Sequence, residues 1–199
     1  MTAGSCPRCG LRHQCFCPWL PKLHSRQRLL RLIHPNELQR DTNTGKLLAL
    51  CQLNVESVVW DRKNPPASLL ALLEDSALFP VLLFPGEHSL TLDQLSSQSH
   101  QQHKQPLFII LDATWQEARK MVNKSRWLSS VPLMALTSAA PSQYQLRRNQ
   151  QTGNLCTFEV AAHLLGQLDE KSNQQYMLEF LDDYSAAFKA DKSGHALKQ

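Results

Sequence analysis

Short apolar runs alternate with helical patterns along most of the chain. The apolar runs predict five strands, at residues 29–34, 55–60, 81–84, 107–111 and 131–137. Helices are predicted at residues 46–53, 65–75, 114–127, 158–168 and 174–189, with a helical turn at 144–148 and a surface loop over the Ser-, Gln- and His-rich residues 92–105. Strands that alternate with helices predict an α/β fold with a mainly parallel sheet flanked by helices.

The most informative stretch is residues 107–121, which reads LFIILDATWQEARKM. Its five leading apolar residues predict a strand that is buried on both faces, as in a parallel sheet. Thr114 and Glu117, three residues apart, form a capping box that predicts the start of a helix. Asp112 is therefore expected at the carboxyl end of a buried strand, where open α/β sheets bind ligands and hold catalytic groups.

Polar residues recur at other predicted strand ends and helix starts. These segments are Asn43-Thr44-Gly45, Pro85-Gly86 and Cys156-Thr157-Phe158-Glu159. Free N–H groups at Thr44 and Gly45 could bind a carboxylate or a ribose oxygen, although the same segment could be a plain turn. Trp115 offers an aromatic face for a nucleobase or a sulfonium cation.

The same residues also have purely structural explanations. Asp112 could be a loop carboxylate beside a helix cap. The capping box alone accounts for Thr114 and Glu117, and Thr157 could serve only as an N-cap. Trp115 could pack in the core on the apolar side of its helix. The chain has no G-x-G-x-x-G, Walker A or G-x-S-x-G motif, so dinucleotide binding, P-loop NTPase and serine hydrolase activity lack their main support.

Composition and charge narrow the class of protein. The 199 residues are 42% hydrophobic and carry a net charge of +4, which predicts one globular domain, or one domain with a small appendage. No apolar run reaches the roughly 20 residues that span a bilayer, and the N-terminus lacks a secretory signal pattern, so a cytoplasmic location is expected. The basic residues form three groups, namely Lys22, Arg26, Arg28 and Arg31; Arg119, Lys120, Lys124 and Arg126; and Arg147 with Arg148. Each group could be a solvated face, but three in one small chain favour a polyanionic partner.

Four cysteines lie within the first seventeen residues. Cys6, Cys9, Cys15 and Cys17 have the spacing C-x2-C-x5-C-x-C, which predicts a structural, four-coordinate Zn²⁺ site. Ordinary reduced thiols are the alternative, disulfides are disfavoured without an oxidising compartment, and His13 could replace one thiolate. The two remaining cysteines, Cys51 and Cys156, fit buried core thiols.

Taken together, these residues resemble the DTW-domain family, which is named for an Asp-x-Thr-Trp motif. Here the motif is Asp112-Ala113-Thr114-Trp115, with Ala113 standing between the residues that the name spells. The resemblance extends in order through the cysteine segment, Thr42-Asn43-Thr44-Gly45, Leu83-Phe84-Pro85-Gly86, Tyr144-Gln145-Leu146-Arg147 and residues 155–161. It covers nearly the whole chain.

The resemblance implies a tRNA-uridine aminocarboxypropyltransferase of bacterial type with a SPOUT-like fold and a trefoil knot. Such enzymes transfer the 3-amino-3-carboxypropyl group of S-adenosylmethionine to N3 of a uridine, and bacterial members act in the tRNA variable loop. Asp112 is then the expected general base. The implied cofactor-binding residues are Thr42, Asn43, Thr44, Gly45, Phe84, Pro85, Gly86, Thr114, Trp115, Cys156, Thr157 and Glu159.

The expected tRNA-binding residues are the basic groups at and after the Asp112 helix. They are Arg119, Lys120, Lys124, Arg126, Arg147 and Arg148, with Arg8 and Arg12 of the cysteine segment as further RNA contacts. The implied division is a zinc knuckle at residues 1–22, a catalytic domain at 23–190 and a flexible tail at 191–199, in a monomer. A SPOUT-type methyltransferase that uses the same donor, and a non-enzymatic zinc-knuckle RNA-binding protein, are the two alternatives.

Overall fold

A single parallel sheet contains all five strands of the described chain. The computed structural model describes residues 4–137 and 155–197. The strands are β1 (Arg28–Ile33), β2 (Val55–Val59), β3 (Leu78–Leu83), β4 (Gln105–Asp112) and β5 (Leu133–Met134). Their order in the sheet is β2-β1-β4-β3-β5, and every neighbouring pair is parallel. The predicted α/β fold with a mainly parallel sheet flanked by helices is confirmed.

Six α-helices accompany this sheet in the described ranges. They are α1 (Gly45–Leu48), α2 (Ala67–Glu74), α3 (Leu92–Gln101), α4 (Trp115–Lys124), α5 (Thr157–Gln167) and α6 (Lys171–Lys192). Short 3₁₀ helices occur at Cys17–Trp19, Pro35–Gln39 and Arg126–Leu128. Within residues 4–137 and 155–197, no helix combines the length and apolar character needed to cross a membrane.

The alternation of side chains along the central strands gives the sheet two distinct faces. Leu30 and Leu32 of β1 share one apolar core with Ile109 of β4 and with Ala118 and Met121 of α4. Because successive strand residues point to opposite faces, the alternate positions lie on the other face. These positions are Leu29, Arg31 and Ile33 in β1 and their register partners Phe108, Ile110 and Asp112 in β4. The second face therefore carries a cation and a carboxylate among apolar residues.

The prediction of a surface loop at residues 92–105 was wrong, because most of this segment forms α3. Thr91 accepts a hydrogen bond from the Gln94 N–H and Gln94 bonds back to the Thr91 N–H, which makes a capping box. Leu95 and Ser99, one turn apart, are the buried positions of this otherwise polar helix. The polar composition of the segment outweighed the two inward-facing positions that indicate a helix packed against the protein.

Several element boundaries also differ from the predicted ones. Cys156, and not Thr157, is the N-cap of α5, and Thr157 is its first helical residue. The helix predicted at 46–53 is confined to the four residues of α1, and β5 has only two residues. The last helix is longer at both ends than predicted. The helical turn predicted at residues 144–148 lies outside the described residues.

The contacts divide the described chain into two compact units. Unit 1 contains residues 4–24, 41–52 and 155–197, and so groups the cysteine segment with α1, α5 and α6. Unit 2 contains residues 25–40 and 53–137, including the whole sheet with α2, α3 and α4. The domain division predicted at residues 22 and 190 stays a prediction.

Candidate functional site

The strand order places a topological switch point at the carboxyl ends of β1 and β4. These strands are neighbours, but β2 lies on the far side of β1, whereas β3 and β5 lie on the far side of β4. A crevice at such a switch point is the usual ligand site of an open α/β sheet. Asp112 is the last residue of β4, and its carbonyl accepts the His34 N–H at 2.9 Å. The sequence-predicted catalytic residue is therefore at this point of the sheet.

The Asp112 side chain is turned into the protein. It is 0% exposed, and its Oδ2 lies 3.8 Å from Nε of Arg31, whose side chain is 12% exposed. Within residues 4–137 and 155–197, the Nε and Nη1 atoms of Arg31 are buried and have no hydrogen-bond partner. Burial lowers the pKa of Arg31, and the charge of Asp112 opposes that shift. The carboxylate thus stands beside a buried guanidinium and not in open solvent.

An aromatic pair lies near the same edge of the sheet. Phe84 follows β3 and packs against the core, and the ring of Trp115 stacks on it with centroids 5.0 Å apart and planes 15° apart. Trp115 is 38% exposed, so it is not the core residue that the structural alternative described. Pro85 and Gly86 next to Phe84 are exposed, and the Gly86 N–H donates to Ser89 Oγ at 2.8 Å.

Asp112 and Trp115 lie on opposite faces of the sheet. Phe84, and with it Trp115, is on the face that carries the α2 and α4 core, whereas Asp112 shares the other face with Arg31. Asp112 and Trp115 therefore do not face one common substrate atom. The sequence analysis placed Arg31 only in a basic group that favours a polyanionic partner and did not predict its position beside Asp112, although an arginine inside the apolar strand RLLRLI indicates a partly buried cation.

Glu117 is the centre of a polar cluster at the start of α4. Its carboxylate accepts hydrogen bonds from Arg40 (2.8 and 2.9 Å), Asn36 Nδ2 (2.8 Å) and the Thr114 N–H (2.9 Å) and hydroxyl (2.7 Å). Burial would raise the pKa of Glu117, but these donors outweigh it and hold that pKa well below its usual range. Arg40 also bonds the buried Glu37. The capping role predicted for Thr114 and Glu117 is confirmed, and the cluster joins that cap to the chain after β1.

Glu117→Gln is expected to lower the free energy of unfolding at neutral pH by about 2 kcal/mol, because it replaces charge-assisted bonds to Arg40 while keeping a helix cap. The native pKa of Glu117 lies below the ordinary 4.5. Its stabilisation is therefore complete above about pH 5 and is lost as the pH falls. Chemical denaturation from pH 7 to 3 should give the variant a flatter pH profile. Glu56→Gln, at an exposed pair with Arg28, is the control, and equal slopes in wild type and Glu117→Gln would contradict the expectation.

The predicted RNA-binding residues of α4 and the turn after it are exposed. Arg119, Lys120, Lys124 and Arg126 all face solvent, while Ala118 and Met121 of the same helix face the core. Lys120 and Lys124 are one turn apart, so their charges lie along one line of the helix surface. The first turn of the same helix carries the exposed Trp115. Arg147 and Arg148 lie outside the described residues.

The other predicted cofactor residues lie in unit 1. Asn43 Oδ1 accepts the Lys46 N–H at 3.0 Å, so the residue before the Thr44 N-cap binds the first turn of α1. Thr44 is fully buried, and its Oγ1 makes no regular hydrogen bond within the part of the chain that the structure describes. Burial raises the pKa of the Cys156 thiol, and the Thr44 hydroxyl opposes that shift, which places the two groups together. The four residues of α1 provide too little helix for a strong N-terminal anion site.

A backbone N–H group at the start of α5 is hydrogen-bonded within the same helix turn. The Cys156 N–H donates to Glu159 Oε2 at 2.7 Å, and Glu159 and Thr157 are buried. Since α1 and α5 pack together, unit 1 brings residues 43–45 close to residues 156–159. Thr42, partly buried, precedes them. Unit 2 separately holds Phe84, Pro85, Gly86, Asp112, Thr114 and Trp115.

Four sulfur atoms gather in the cysteine segment. The Sγ atoms of Cys6, Cys9, Cys15 and Cys17 all lie within 4.8 Å of one another, and Cys6 Sγ is 3.7 Å from Cys17 Sγ and 3.8 Å from Cys15 Sγ. Four Zn–S bonds of about 2.3 Å in a tetrahedron place sulfurs about 3.8 Å apart. His13 is not part of this group, which is the one His, Cys, Asp and Glu cluster of this kind within the described ranges. The geometry fits a four-thiolate metal site.

Backbone N–H groups support the sulfurs. The N–H groups of Cys9 and Arg8 lower the pKa of Cys6 to about 6, and the Phe16 N–H donates to Cys9 Sγ at 3.4 Å. Gly10 has a φ of +83°, a conformation that favours glycine, and its N–H donates to the Cys6 carbonyl at 2.9 Å. The backbone therefore donates hydrogen bonds toward the sulfur atoms and forms a tight turn around them.

The cysteine segment packs on α6. Tyr184 donates its hydroxyl hydrogen to the Cys9 carbonyl at 2.8 Å, and the Phe16 ring lies 5.8 Å from that of Phe180. Asp191 Oδ1 accepts the N–H groups of both Arg12 and His13 at 2.7 Å. The segment is therefore fixed to the rest of unit 1 by hydrogen bonds and aromatic packing.

Comparison with known proteins identifies the family. The DTW domain matches residues 3–189, so the chain belongs to the DTW-domain family. It is similar to proteins named tRNA-uridine aminocarboxypropyltransferase 2, with 27% identity to that of Macaca fascicularis, 28% to that of Mus musculus and 27% to that of Drosophila melanogaster. The alignments cover 84%, 84% and 79% of this chain but only 57%, 57% and 63% of those relatives. No solved structure matches the chain.

Proposed function

We propose that this protein transfers the 3-amino-3-carboxypropyl group of S-adenosylmethionine to N3 of a uridine in the variable loop of tRNA. Family membership and the names of its relatives support the reaction class. The observation that carries the proposal is the exposed Trp115, stacked on Phe84, at the start of a helix whose outer surface is basic. Such a surface suits a nucleobase flanked by phosphates.

The reaction needs a positioned nucleophile and a base. Uridine N3 attacks Cγ of the methionine part, the Cγ–S bond breaks with its electron pair going to sulfur, 5′-methylthioadenosine leaves, and the N3 proton goes to a base. Since the sulfonium activates the methyl group as well as Cγ, the protein must decide which carbon meets N3. Near-attack positioning is the means available to side chains for that choice.

Trp115 and the basic residues of α4 are the proposed RNA contacts in unit 2. The outer ring face of Trp115 would stack on a base that is turned out of the tRNA, and base–aromatic stacking contributes about 1–3 kcal/mol. Arg119, Lys120, Lys124 and Arg126 would bind the adjoining phosphates. Arg8 and Arg12, which are exposed in the cysteine segment, are proposed as further contacts.

Asp112 could act in two ways, as a general base or as a binding residue, and its burial favours one of them. As the general base that the sequence predicted, Asp112 must contact uracil N3. A carboxylate that is fully buried beside Arg31, on the face opposite Trp115, reaches that atom only if the base enters the interior. A binding role toward a group that also reaches Arg31 requires no such entry, so the burial favours the second version.

The cysteine segment and the paired segments of unit 1 have proposed roles in metal and donor binding. Zn²⁺ is the proposed metal of Cys6, Cys9, Cys15 and Cys17, because four thiolates at tetrahedral spacing suit it and leave no open position for catalysis. Residues 42–45 and 156–159 are proposed to bind S-adenosylmethionine, with the fully buried Thr44 hydroxyl as one polar contact. A SPOUT-like knot, a monomeric state and a cytoplasmic location remain predictions.

Position-specific labelling tests the reaction. The protein is incubated with tRNA and S-adenosylmethionine that carries label either in the methyl carbon or in the carboxypropyl carbons. Label entering tRNA from the carboxypropyl part supports the proposal, and label from the methyl part identifies a methyltransferase. Binding that depends on salt, with no transfer from either donor, identifies an RNA-binding protein without this activity. Nucleoside mass spectrometry of the product tRNA locates the modified uridine.

Charge reversal at Lys120 and Lys124 tests the RNA surface. The double variant Lys120→Glu, Lys124→Glu is expected to weaken tRNA binding and to make log Kd against log salt shallower by about 1.5, because two phosphate contacts are lost. Filter binding between 50 and 300 mM salt measures both quantities. The matched control is Arg62→Glu, Lys63→Glu, an exposed basic pair on another loop of unit 2. Unchanged affinity in the α4 variant would place the RNA elsewhere.

A further inference from the structure

Arg31 has hydrogen-bonding capacity that the described protein does not use. It lies in the middle of a strand whose buried positions are apolar, and its Nε and Nη1 atoms are buried without partners among the described residues. A guanidinium carries five donors in a fixed plane, and leaving them unpaired in an interior is costly. Asp112 at 3.8 Å balances the charge but is too distant for a regular hydrogen bond to Nε. The unused donors indicate a missing partner.

The chemistry of the pair restricts that partner. A guanidinium fork matches a carboxylate, to which it can donate two parallel hydrogen bonds. The Asp112 carboxylate alongside attracts an ammonium group and repels a second anion. A cation and an anion 3.8 Å apart therefore complement a zwitterion, in which a carboxylate and an ammonium group sit on the same carbon.

We infer that Arg31 and Asp112 bind the α-amino acid end of the donor, with Arg31 taking the α-carboxylate and Asp112 facing the α-ammonium. This inference rests on the proposed function, because it names the group that this pair holds in that reaction. The bound group is the part of the donor that is transferred, so the pair fixes its far end while Cγ is attacked. It supplies one of the restraints by which Cγ, and not the methyl carbon, is presented to N3.

A phosphate of the tRNA is the other anion that an arginine binds, and burial disfavours it. With 12% of the Arg31 side chain exposed and none of that of Asp112, only a narrow group can reach the pair. The end of an amino acid side chain is narrow, whereas a phosphodiester brings two ribose units with it. The adjacent Asp112 would also repel a phosphate. The exposed cations of α4 can bind a phosphate because they are accessible and are not next to Asp112.

Two nucleosides that differ only at sulfur test the inference by binding alone. S-adenosylhomocysteine carries the amino acid end, and 5′-methylthioadenosine carries a methyl group in its place. Titration calorimetry of the whole protein with each ligand gives the ratio of the two dissociation constants. Arg31→Met is expected to weaken S-adenosylhomocysteine about 10- to 100-fold and to leave 5′-methylthioadenosine within about twofold. Arg31→Lys keeps the positive charge but lacks the guanidinium fork, so its affinity for S-adenosylhomocysteine should lie between those of the wild type and Arg31→Met.

The control is Arg28→Met in the same strand, where Arg28 pairs with Glu56 at 2.9 Å and is partly exposed. It should leave both affinities unchanged. Equal weakening of both nucleosides by Arg31→Met, or an unchanged ratio, overturns the inference. So does a ratio that stays constant while tRNA affinity falls, which would assign the anion to RNA.

Failure of the proposed function gives a different result. A wild-type protein that does not use this donor would bind neither nucleoside, and a methyltransferase would bind S-adenosylhomocysteine but transfer label only from the methyl carbon. If Arg31→Met does not fold by circular dichroism, the ratio in Arg31→Lys decides. An unchanged ratio in that folded variant overturns the inference, and a lowered ratio supports it.

Discussion

Replacing Asp112 with Asn is expected to reduce transfer of carboxypropyl label to tRNA about 100-fold or more at saturating tRNA. Loss of a general base costs about 100- to 10,000-fold, and loss of the partner for a bound ammonium removes part of the positioning that transfer needs. The measurement is single-turnover transfer from carboxypropyl-labelled S-adenosylmethionine. Asp93→Asn, at an exposed position of α3, is the matched control and should keep full activity.

Binding data on the same variant separate the two roles of Asp112. A base acts on the acceptor, so its loss leaves the ratio of S-adenosylhomocysteine to 5′-methylthioadenosine affinity unchanged and flattens the acidic side of the pH–rate profile. A residue that faces the α-ammonium changes that ratio. Full transfer activity in Asp112→Asn would remove both roles.

Stability must be measured before either result is interpreted. Removing one partner of a buried ion pair can cost about 3 kcal/mol, because the other charge stays buried. Urea denaturation of Asp112→Asn shows how much folded protein each assay contains. The double variant Arg31→Met, Asp112→Leu removes both charges and should recover part of the loss.

Removing the metal from the cysteine segment should have the second large effect. Cys9→Ser is expected to reduce bound zinc from one ion per chain to near zero and to lower the midpoint of thermal unfolding by about 10 °C or more. Structural zinc sites carry a large binding free energy that is also folding free energy. Elemental analysis and differential scanning calorimetry measure the two quantities. Because Cys9 is buried and its carbonyl accepts the Tyr184 hydroxyl, the loss should extend into α6.

Cys51→Ser controls for the change from thiol to hydroxyl. Cys51 is buried in the same unit and lies outside the four-sulfur group, so its variant should keep a full equivalent of zinc. Wild-type protein that is folded and free of zinc after purification without chelator would contradict the knuckle.

The sequence was most informative where one local pattern determines structure. The apolar run of β4, the Thr114–Glu117 cap and the cysteine spacing each depend on neighbours within a dozen residues, and the structure contains all three. The apolar run also predicted correctly that Asp112 ends a buried strand. Local patterns do not determine which face of a sheet the last residue of a strand uses.

What was missed depends on contacts between distant parts of the chain. Arg40 and Glu117 are 77 positions apart, and nothing near either residue announces their pairing. Arg31 meets Asp112 only because the register of β1 and β4 sets Ile33 beside Asp112. The helix α3 was missed for another reason, since a polar composition was given more weight than the Thr91–Gln94 cap.

The attachment of the cysteine segment to α6 has a consequence for the order of assembly. Residues 6–17 leave the ribosome well before the Tyr184 hydroxyl and the Asp191 carboxylate that bind their backbone, because these groups lie 175 to 179 positions later in the chain. Domains otherwise tend to fold from the N-terminus during synthesis. In this protein the cysteine segment completes its packing only after α6 has emerged, so a nascent chain that stalls before residue 184 leaves the four cysteines without that support.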